Sequence, residues 1–240
     1  MRWTFYAFAL VVVLVLAVRP ALLHTFRLAI LGRATVAERV QEHGHSVRSQ
    51  LRIELDRVGL SYPPAKIMLL GLKLERELHL FAADAADDTV GWKFIKIYDV
   101  TAASGELGPK LREGDRQVPE GVYQIESLNP NSRFHLSLRL NYPNPIDRAR
   151  AQASDRANLG TDIMIHGGNA SIGCLAVGDS AIEELFVLAA DTGVEDVKVI
   201  LSPVDFRNRE LPVGFVAAEE WIVDLHHAIR REIRKLPLPE

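Results

Sequence analysis

The chain has 240 residues, of which 48% are hydrophobic and 25% charged, and its formal net charge is −3. This balance excludes a largely disordered chain, and a sequence pI near 6.3 without a dense basic block argues against nucleic-acid binding. The single cysteine, Cys174, excludes an intramolecular disulfide, a CxxC redox pair and any multi-cysteine metal site.

The first element is an uncharged apolar run over residues 3–18. As a helix it would be about 24 Å long, somewhat shorter than a hydrocarbon core of about 30 Å. A cleaved signal peptide needs small residues at its cut, and 15–17 is the one tolerable place, so we predict an uncleaved membrane anchor over 1–31. More arginines follow the run than precede it, which opposes export. Export is predicted instead from the site chemistry described below.

Residues 32–65 are predicted to form a helical spacer or a packing helix. Thr35 and Glu38 have the spacing of a capping box, and apolar residues recur at helical intervals as far as about Val58. His43 and His45 lie on this helix. We expect both to be solvated, because nothing near them in the sequence completes a metal site.

Short strands and turns are predicted between residues 66 and 202, which we take as one domain. The predicted strands are 67–74, 77–82, 92–100, 122–125, 135–140, 162–166 and 197–201, with a turn at 129–132 and an exposed loop or short helix at 148–156. Ser180 and Glu183 have capping-box spacing and predict the start of an apolar helix. A C-terminal extension, 203–240, carries an amphipathic helix over 219–235.

The stretch most informative about chemistry is Ile165–Ala176. His166 ends a strand, two glycines turn the chain, and Cys174 follows a third glycine. A thiol nucleophile needs a neighbouring base or a positive potential, because the thiolate is the reactive form. The glycine-rich connection can bring the imidazole and the sulfur together, and the N–H groups of Gly173 and Cys174 can face a developing oxyanion.

The group that orients the His166 ring is left open between two candidates. Asp162 is excluded from direct contact, because four residues of strand would separate it from His166 by about 13 Å. A backbone carbonyl or the Ser171 hydroxyl is the better candidate.

These residues resemble a known family. His166-Gly167, followed by Ser171-x-Gly173-Cys174, is similar to the active-site signature of the L,D-transpeptidase catalytic domain, also called YkuD. Further motifs look like the YafK-like, murein-acting subgroup; they lie at 96–105, 108–115, 119–123, 129–132 and 141–144. The resemblance covers about 67–201.

The resemblance implies a mostly β (α+β) fold, a curved β-sandwich of the L,D-transpeptidase catalytic type with flanking N- and C-terminal helices. It implies that Cys174 attacks a carbonyl of a diaminopimelate-type peptidoglycan stem peptide and forms a thioester, with His166 as the base. Gly167, Ser171 and Gly173 would flank the nucleophile and the oxyanion. No cofactor and no metal are implied, and the predicted role is in cell-wall biosynthesis and cell shape.

Several polar residues are candidates for binding the carboxylates of the anionic stem peptide, since a cation would orient it. They are Lys96, Lys110, Asn131, Tyr142 and Arg148. The alternative for each is a solvated role in a loop or turn.

Three functions remain open from the sequence. The acyl group can pass to an amine, or it can pass to water in an amidase or peptidase that releases a protein or a D-amino acid. The third candidate is a non-catalytic envelope-binding module in which Cys174 is structural and resists iodoacetamide at neutral pH. Ile172 and Ala176 replace the histidine and arginine of the commoner family pattern, which points to the YafK-like subgroup.

The expected partners are stem peptides, an envelope lipoprotein and the inner membrane, with no nucleic acid. The expected location is the periplasmic face of the inner membrane, or the periplasm if the N-terminal segment is cleaved.

Overall fold

The computed structural model describes residues 32–84 and 91–239. The helices are α1 (Val36–Arg57), α2 (Pro145–Ala153), α3 (Asp179–Thr192) and α4 (Trp221–Ile233), with a 3-10 turn at Val194–Asp196. The strands are β1 (Lys66–Leu72), β2 (Glu77–Ala83), β3 (Lys93–Asp99), β4 (Ala102–Ala103), β5 (Gly121–Ser132), β6 (His135–Leu140), β7 (Met164–His166), β8 (Leu175–Ala176) and β9 (Val197–Ser202). The predicted anchor, 1–31, lies outside the described residues. Within them, no helix combines the length and apolar character needed to cross a membrane.

The strands form one nine-stranded sheet in the order β3-β2-β1-β9-β5-β6-β7-β8-β4. The pairs β1–β9 and β7–β8 are parallel and the other pairs are antiparallel. The first part of β5, Gly121–Gln124, pairs with β9, and its later part, from Ile125, pairs with β6. The predicted mostly β (α+β) fold with flanking N- and C-terminal helices is confirmed in its α+β character.

The central strand β1 is buried on both faces. Ile67 and Leu69 belong to the core beneath α1 and α3, whereas Met68 and Leu70 belong to a second core beneath α4. This is why the strand is a continuous apolar run, which is the pattern of a strand covered on both sides.

Helix α1 packs into the main core, so the packing alternative describes it better than a spacer. Its N-terminus has the predicted capping box, in which the Glu38 N–H donates to Thr35 Oγ1 (3.2 Å) and the Thr35 N–H donates to Glu38 Oε2 (2.7 Å). Arg48 binds Asp191 of α3 through two hydrogen bonds of 2.7 and 2.8 Å. Leu51 on the same helix is buried.

Two local predictions were wrong. The turn predicted at 129–132 is the end of β5, and the chain reverses at Arg133 and Phe134; an irregular register accommodates this segment. The capping box predicted at Ser180 is absent, because α3 begins at Asp179 after Gly178 with no side-chain cap.

A buried charged group holds the loop before β5 in place. Glu120 accepts hydrogen bonds from Lys73 Nζ (3.0 Å) and from the Gly108 N–H (2.7 Å), and its other oxygen lies 2.7 Å from Nε2 of His226 on α4. Burial raises the pKa of Glu120, but the hydrogen bond from His226 and the charge of Lys73 outweigh it and lower the pKa overall. The loop that follows β4 is thereby anchored between the sheet and α4.

Candidate active site

Cys174 lies directly before β8, level with Met164 at the start of β7. In this parallel pair Ile165 is opposite Leu175 and His166 is opposite Ala176. Because side chains alternate along strands, Cys174 and His166 project toward the same side of the sheet. The two predicted catalytic residues therefore lie on the same side of two neighbouring strands, two register positions apart.

The connection between them is tied down by two serine hydroxyls. Gly173, in a left-handed conformation (φ +94°) that favours glycine, donates its N–H to Ser104 Oγ at 2.6 Å. Ser171 Oγ accepts from the Cys174 N–H (3.1 Å) and donates to the Cys174 carbonyl (2.5 Å). Both N–H groups proposed for an oxyanion are thus occupied here, and a substrate oxygen has to displace a hydroxyl to reach them.

The His166 ring is buried and held in one orientation. Nδ1 lies 2.6 Å from the Gly167 carbonyl oxygen, and the ring stacks on Phe134 with centroids 4.5 Å apart. Since a carbonyl can accept only, Nδ1 carries the proton and the neutral ring keeps its lone pair on Nε2. Of the two orienting groups considered, the backbone carbonyl holds the ring, and Ser171 bonds to Cys174 instead.

Gly167 is sterically required beside this histidine. A Cβ at this position would lie 2.6 Å from Asp179 Oδ1 and 2.7 Å from the Phe134 carbonyl oxygen. Asp179 also accepts a hydrogen bond of 2.7 Å from the Gly168 N–H. The start of α3 and the β5–β6 turn therefore close around the loop after β7.

The thiol of Cys174 is protonated in this environment. Burial raises its pKa above the ordinary 9.0 and the charge of Asp162 raises it further, while a hydrogen bond with the Met164 backbone and the charge of Lys110 oppose the rise. Sγ lies 3.6 Å from the Asp162 carbonyl oxygen. Burial lowers the pKa of His166 from its ordinary 6.5. The resting pair is thus a neutral thiol and a neutral imidazole.

Within the described residues, His166 and Cys174 do not hydrogen-bond to each other: the ring bonds to Gly167 and the sulfur to Asp162. Catalytic hydrogen bonds are often long before substrate binds and tighten in the complex. The raised thiol pKa also weakens the iodoacetamide test. A catalytic Cys174 that is protonated at neutral pH would react as slowly as a structural cysteine.

Lys110 is the one predicted substrate-binding residue whose charge affects the pKa of Cys174, which it lowers. Its side chain is 6% exposed and donates to Asp115 Oδ1 (2.5 Å) and to the Arg112 carbonyl (2.8 Å). The ammonium is therefore already paired, and it contributes a fixed positive potential.

The other four candidates make contacts elsewhere. Lys96 pairs with Glu184 of α3 at 3.0 Å. Asn131 binds the backbone of Ala34, accepting at 2.9 Å and donating at 2.7 Å, and so joins β5 to the segment before α1. The buried Tyr142 donates to the Leu159 carbonyl at 3.3 Å.

Arg148 lies on α2 and lines a cavity of about 290 Å³ together with Gln152, Asp155 and Arg156. Neither Cys174 nor His166 lines this cavity. A direct role of Arg148 in binding the reacting part of a substrate stays a prediction.

Four residues that position the site were not singled out from the sequence: Ser104, Phe134, Asp179 and Thr101, whose hydroxyl donates to the Gly168 carbonyl at 2.9 Å. Thr101 and Ser104 lie within the 96–105 motif that resembles the YafK-like subgroup, so that motif could have marked them as site residues. Nothing in the local sequence marks Phe134 or Asp179.

Comparison with known proteins gives a family match over the segment that holds this site. Residues 83–201 match the L,D-transpeptidase catalytic domain family, YkuD, which confirms the resemblance stated from the motifs. The chain is 35% identical over 116 residues to the Escherichia coli K12 protein YafK, whose name assigns it provisionally to the L,D-transpeptidases. The match spans 48% of this chain and 43% of that relative, so it covers less than half of the relative's length.

The chain was also compared with solved structures. The helical cell shape determining protein Pgp2 from Campylobacter jejuni has a TM-score of 0.46 and 20% identity, over 58% of this chain and 48% of that chain. Bd1075 from Bdellovibrio bacteriovorus has a TM-score of 0.42 and 19% identity, over 71% and 55%. L,D-transpeptidase 1 from Mycobacterium tuberculosis has a TM-score of 0.33 and 12% identity, over 57% and 62%.

Proposed function

Residues 83–201 match the L,D-transpeptidase catalytic domain family, and on that premise we propose that the chain is a cysteine acyltransferase acting on peptidoglycan stem peptides. The family supports a peptidoglycan-modifying activity. The observation that supports the specific proposal is the parallel pairing of β7 with β8, since His166 and Cys174 belong to these neighbouring segments.

In the first half of the reaction, Cys174 Sγ attacks a stem-peptide carbonyl carbon, and its proton passes to Nε2 of His166. The Nδ1–H bond to the Gly167 carbonyl supports this role, because it fixes the tautomer and stabilises the imidazolium that forms. The C–N bond then breaks, the leaving amine takes the proton from His166, and a thioester on Cys174 remains.

In the second half, an acceptor attacks the thioester carbonyl while His166 removes the acceptor's proton. The C–S bond breaks and the thiol is regenerated. An amine acceptor gives a cross-link or an attached protein, and water gives hydrolysis. We propose transfer as the main outcome and hydrolysis as the alternative, in which the enzyme releases a protein or a D-amino acid.

The neutral resting pair supports a general-base mechanism over a preformed thiolate. With the thiol pKa raised and the imidazole pKa lowered, proton transfer has to accompany attack. A non-catalytic envelope-binding module is the remaining candidate. It does not explain why the His166 ring is held in one tautomer by the Gly167 carbonyl.

The proposed location is the periplasmic face of the inner membrane, or the periplasm after cleavage, where peptidoglycan is accessible. An envelope lipoprotein is the proposed protein partner for attachment or release.

The test is product analysis with purified muropeptides and the full chain. We expect cross-linked dimers, which are the product of transferring the thioester acyl group to an amine. Shortened monomers without dimers would support the hydrolytic alternative. No product from the folded wild-type chain, with the same outcome for its Cys174→Ala variant, would overturn the acyltransferase proposal and favour the binding module.

A further inference from the structure

Away from the thiol, two histidines and a glutamate from three elements converge. They are His43 of α1, His135 at the start of β6 and Glu183 of α3, and one ligand atom of each lies within 4.8 Å of the others. The expectation that His43 is solvated was wrong, since its side chain is 14% exposed. His45, two residues further along the helix, is exposed as expected.

The carboxylate of Glu183 lies between the two rings. Its Oε1 is 2.7 Å from Nε2 of His135, and its Oε2 is 3.4 Å from Nδ1 of His43. The rings meet edge to face with centroids 5.6 Å apart. Two imidazole nitrogens and a carboxylate thus face one small volume, at separations close to those of ligands around a single ion.

The far nitrogen of His43 supports the same interpretation. Nε2 is buried and lacks a hydrogen-bond partner among the described residues, and Glu42 Oε2 is the acidic atom near it, at 3.7 Å. Metal-bound histidines commonly direct their second N–H to a carboxylate, which orients the ring and increases its basicity. A small approach of Glu42 would complete this arrangement.

We propose that His43, His135 and Glu183 bind a divalent transition-metal ion, with Zn²⁺ as the probe. Imidazole nitrogen and carboxylate oxygen are typical zinc ligands, whereas Mg²⁺ and Ca²⁺ prefer sites built from oxygen atoms. Three protein ligands leave a position for water. The site is separate from Cys174 and needs no part in the proposed acyl transfer.

Binding requires one change of protonation. The 2.7 Å contact between His135 and Glu183 is a hydrogen bond, so a proton on Nε2 has to move to Nδ1 or be released before that nitrogen can bind a metal. Metal binding at this site therefore has to displace the hydrogen bond between His135 and Glu183.

The bound ion would add a further link among three elements that packing, the Arg48–Asp191 pair and the His135–Glu183 hydrogen bond already join. It connects α1 to β6 and α3, and His135 directly follows Phe134, which stacks on His166. His135 has a left-handed backbone conformation (φ 71°), which directs its side chain from the tight turn toward α1 and α3. An ion that binds the folded chain stabilises it by mass action.

The test is zinc binding by the full chain, free of histidine tags, in a Cys174→Ala background that removes the thiol as a competing ligand. We expect one equivalent of Zn²⁺ after gel filtration and an increase in Tm on metal addition. His43→Gln and Glu183→Gln should each weaken binding by roughly tenfold or more. His45→Gln, on the same helix but outside the cluster, is the matched control and should bind like the parent.

X-ray absorption at the zinc edge of the wild-type chain tests the ligands without any substitution. We expect nitrogen and oxygen at about 2.0–2.1 Å and no sulfur at about 2.3 Å. A sulfur shell, retention of zinc by His43→Gln, equal loss in His45→Gln, or absence of stoichiometric binding would each overturn the proposal. The last result would leave the cluster as a hydrogen bond between β6 and α3 with the His43 ring packed beside it.

Discussion

Cys174→Ala will abolish covalent acylation of the chain. A carbapenem, used as an acylating probe, should add its mass to the wild-type protein, and peptide mapping should locate the adduct at Cys174. In the variant we expect acylation at least about 10⁴-fold slower, the scale seen when a catalytic nucleophile is removed. Intact-mass spectrometry measures both proteins over the same time course.

The side-chain change is small, so loss of folding is not the expected cause. Cys174 is partly buried and lies in a loop held by Ser104 and Ser171, and an unchanged Tm of the variant checks this directly. An adduct on the folded variant, or no adduct on the folded wild-type chain, would contradict the assignment of Cys174 as the nucleophile.

His166→Gln will slow acylation by roughly 10²–10⁴-fold, the usual contribution of a general base. Glutamine fills much of the space beside Phe134 but cannot accept a proton at neutral pH. The exposed His227 on α4 supplies a matched control, and His227→Gln should acylate at the wild-type rate.

The pH profile separates a base from a residue that only fills space. Burial lowers the pKa of His166 below 6.5, so the wild-type ring stays neutral at pH 6.5 and above, and the acid limb of the rate should lie below that pH. In His166→Gln this limb should disappear, and the rate should increase with pH as the thiol with its raised pKa ionises. An acid limb that persists unchanged in the variant would exclude His166 as the base.

Much of the fold follows from local patterns in the sequence. The Thr35–Glu38 capping box starts α1 as predicted, and strands such as β6 were predicted with the observed bounds. Apolar periodicity and capping depend on neighbouring residues, so they can be read from a single chain. Ser180–Glu183 shows the limit of this reasoning: the spacing is correct, but Glu183 bonds to His135.

The parts of the site that the sequence did not reveal depend on contacts between distant segments. Ser104 meets Gly173, and Phe134 meets His166, because strands far apart in the chain are adjacent in the sheet. His43 was judged by its sequence neighbours, whereas its partners come from β6 and α3. Such pairings are set by tertiary packing, which a single sequence does not specify.

The position of β9 in the sheet has a consequence for how the protein folds. This strand comes last in the sequence among the described strands, yet it lies between β1 and β5 in the sheet. Ile67 of β1 pairs with Val197 of β9. Pairing across such a separation has a large loop-closure cost and makes folding slow. Until β9 is added, β1 and β5 present unpaired edges that are prone to aggregation. In pulsed hydrogen exchange during refolding, we expect amides of the β1–β2 hairpin to be protected before those of β9; simultaneous protection would argue against this order.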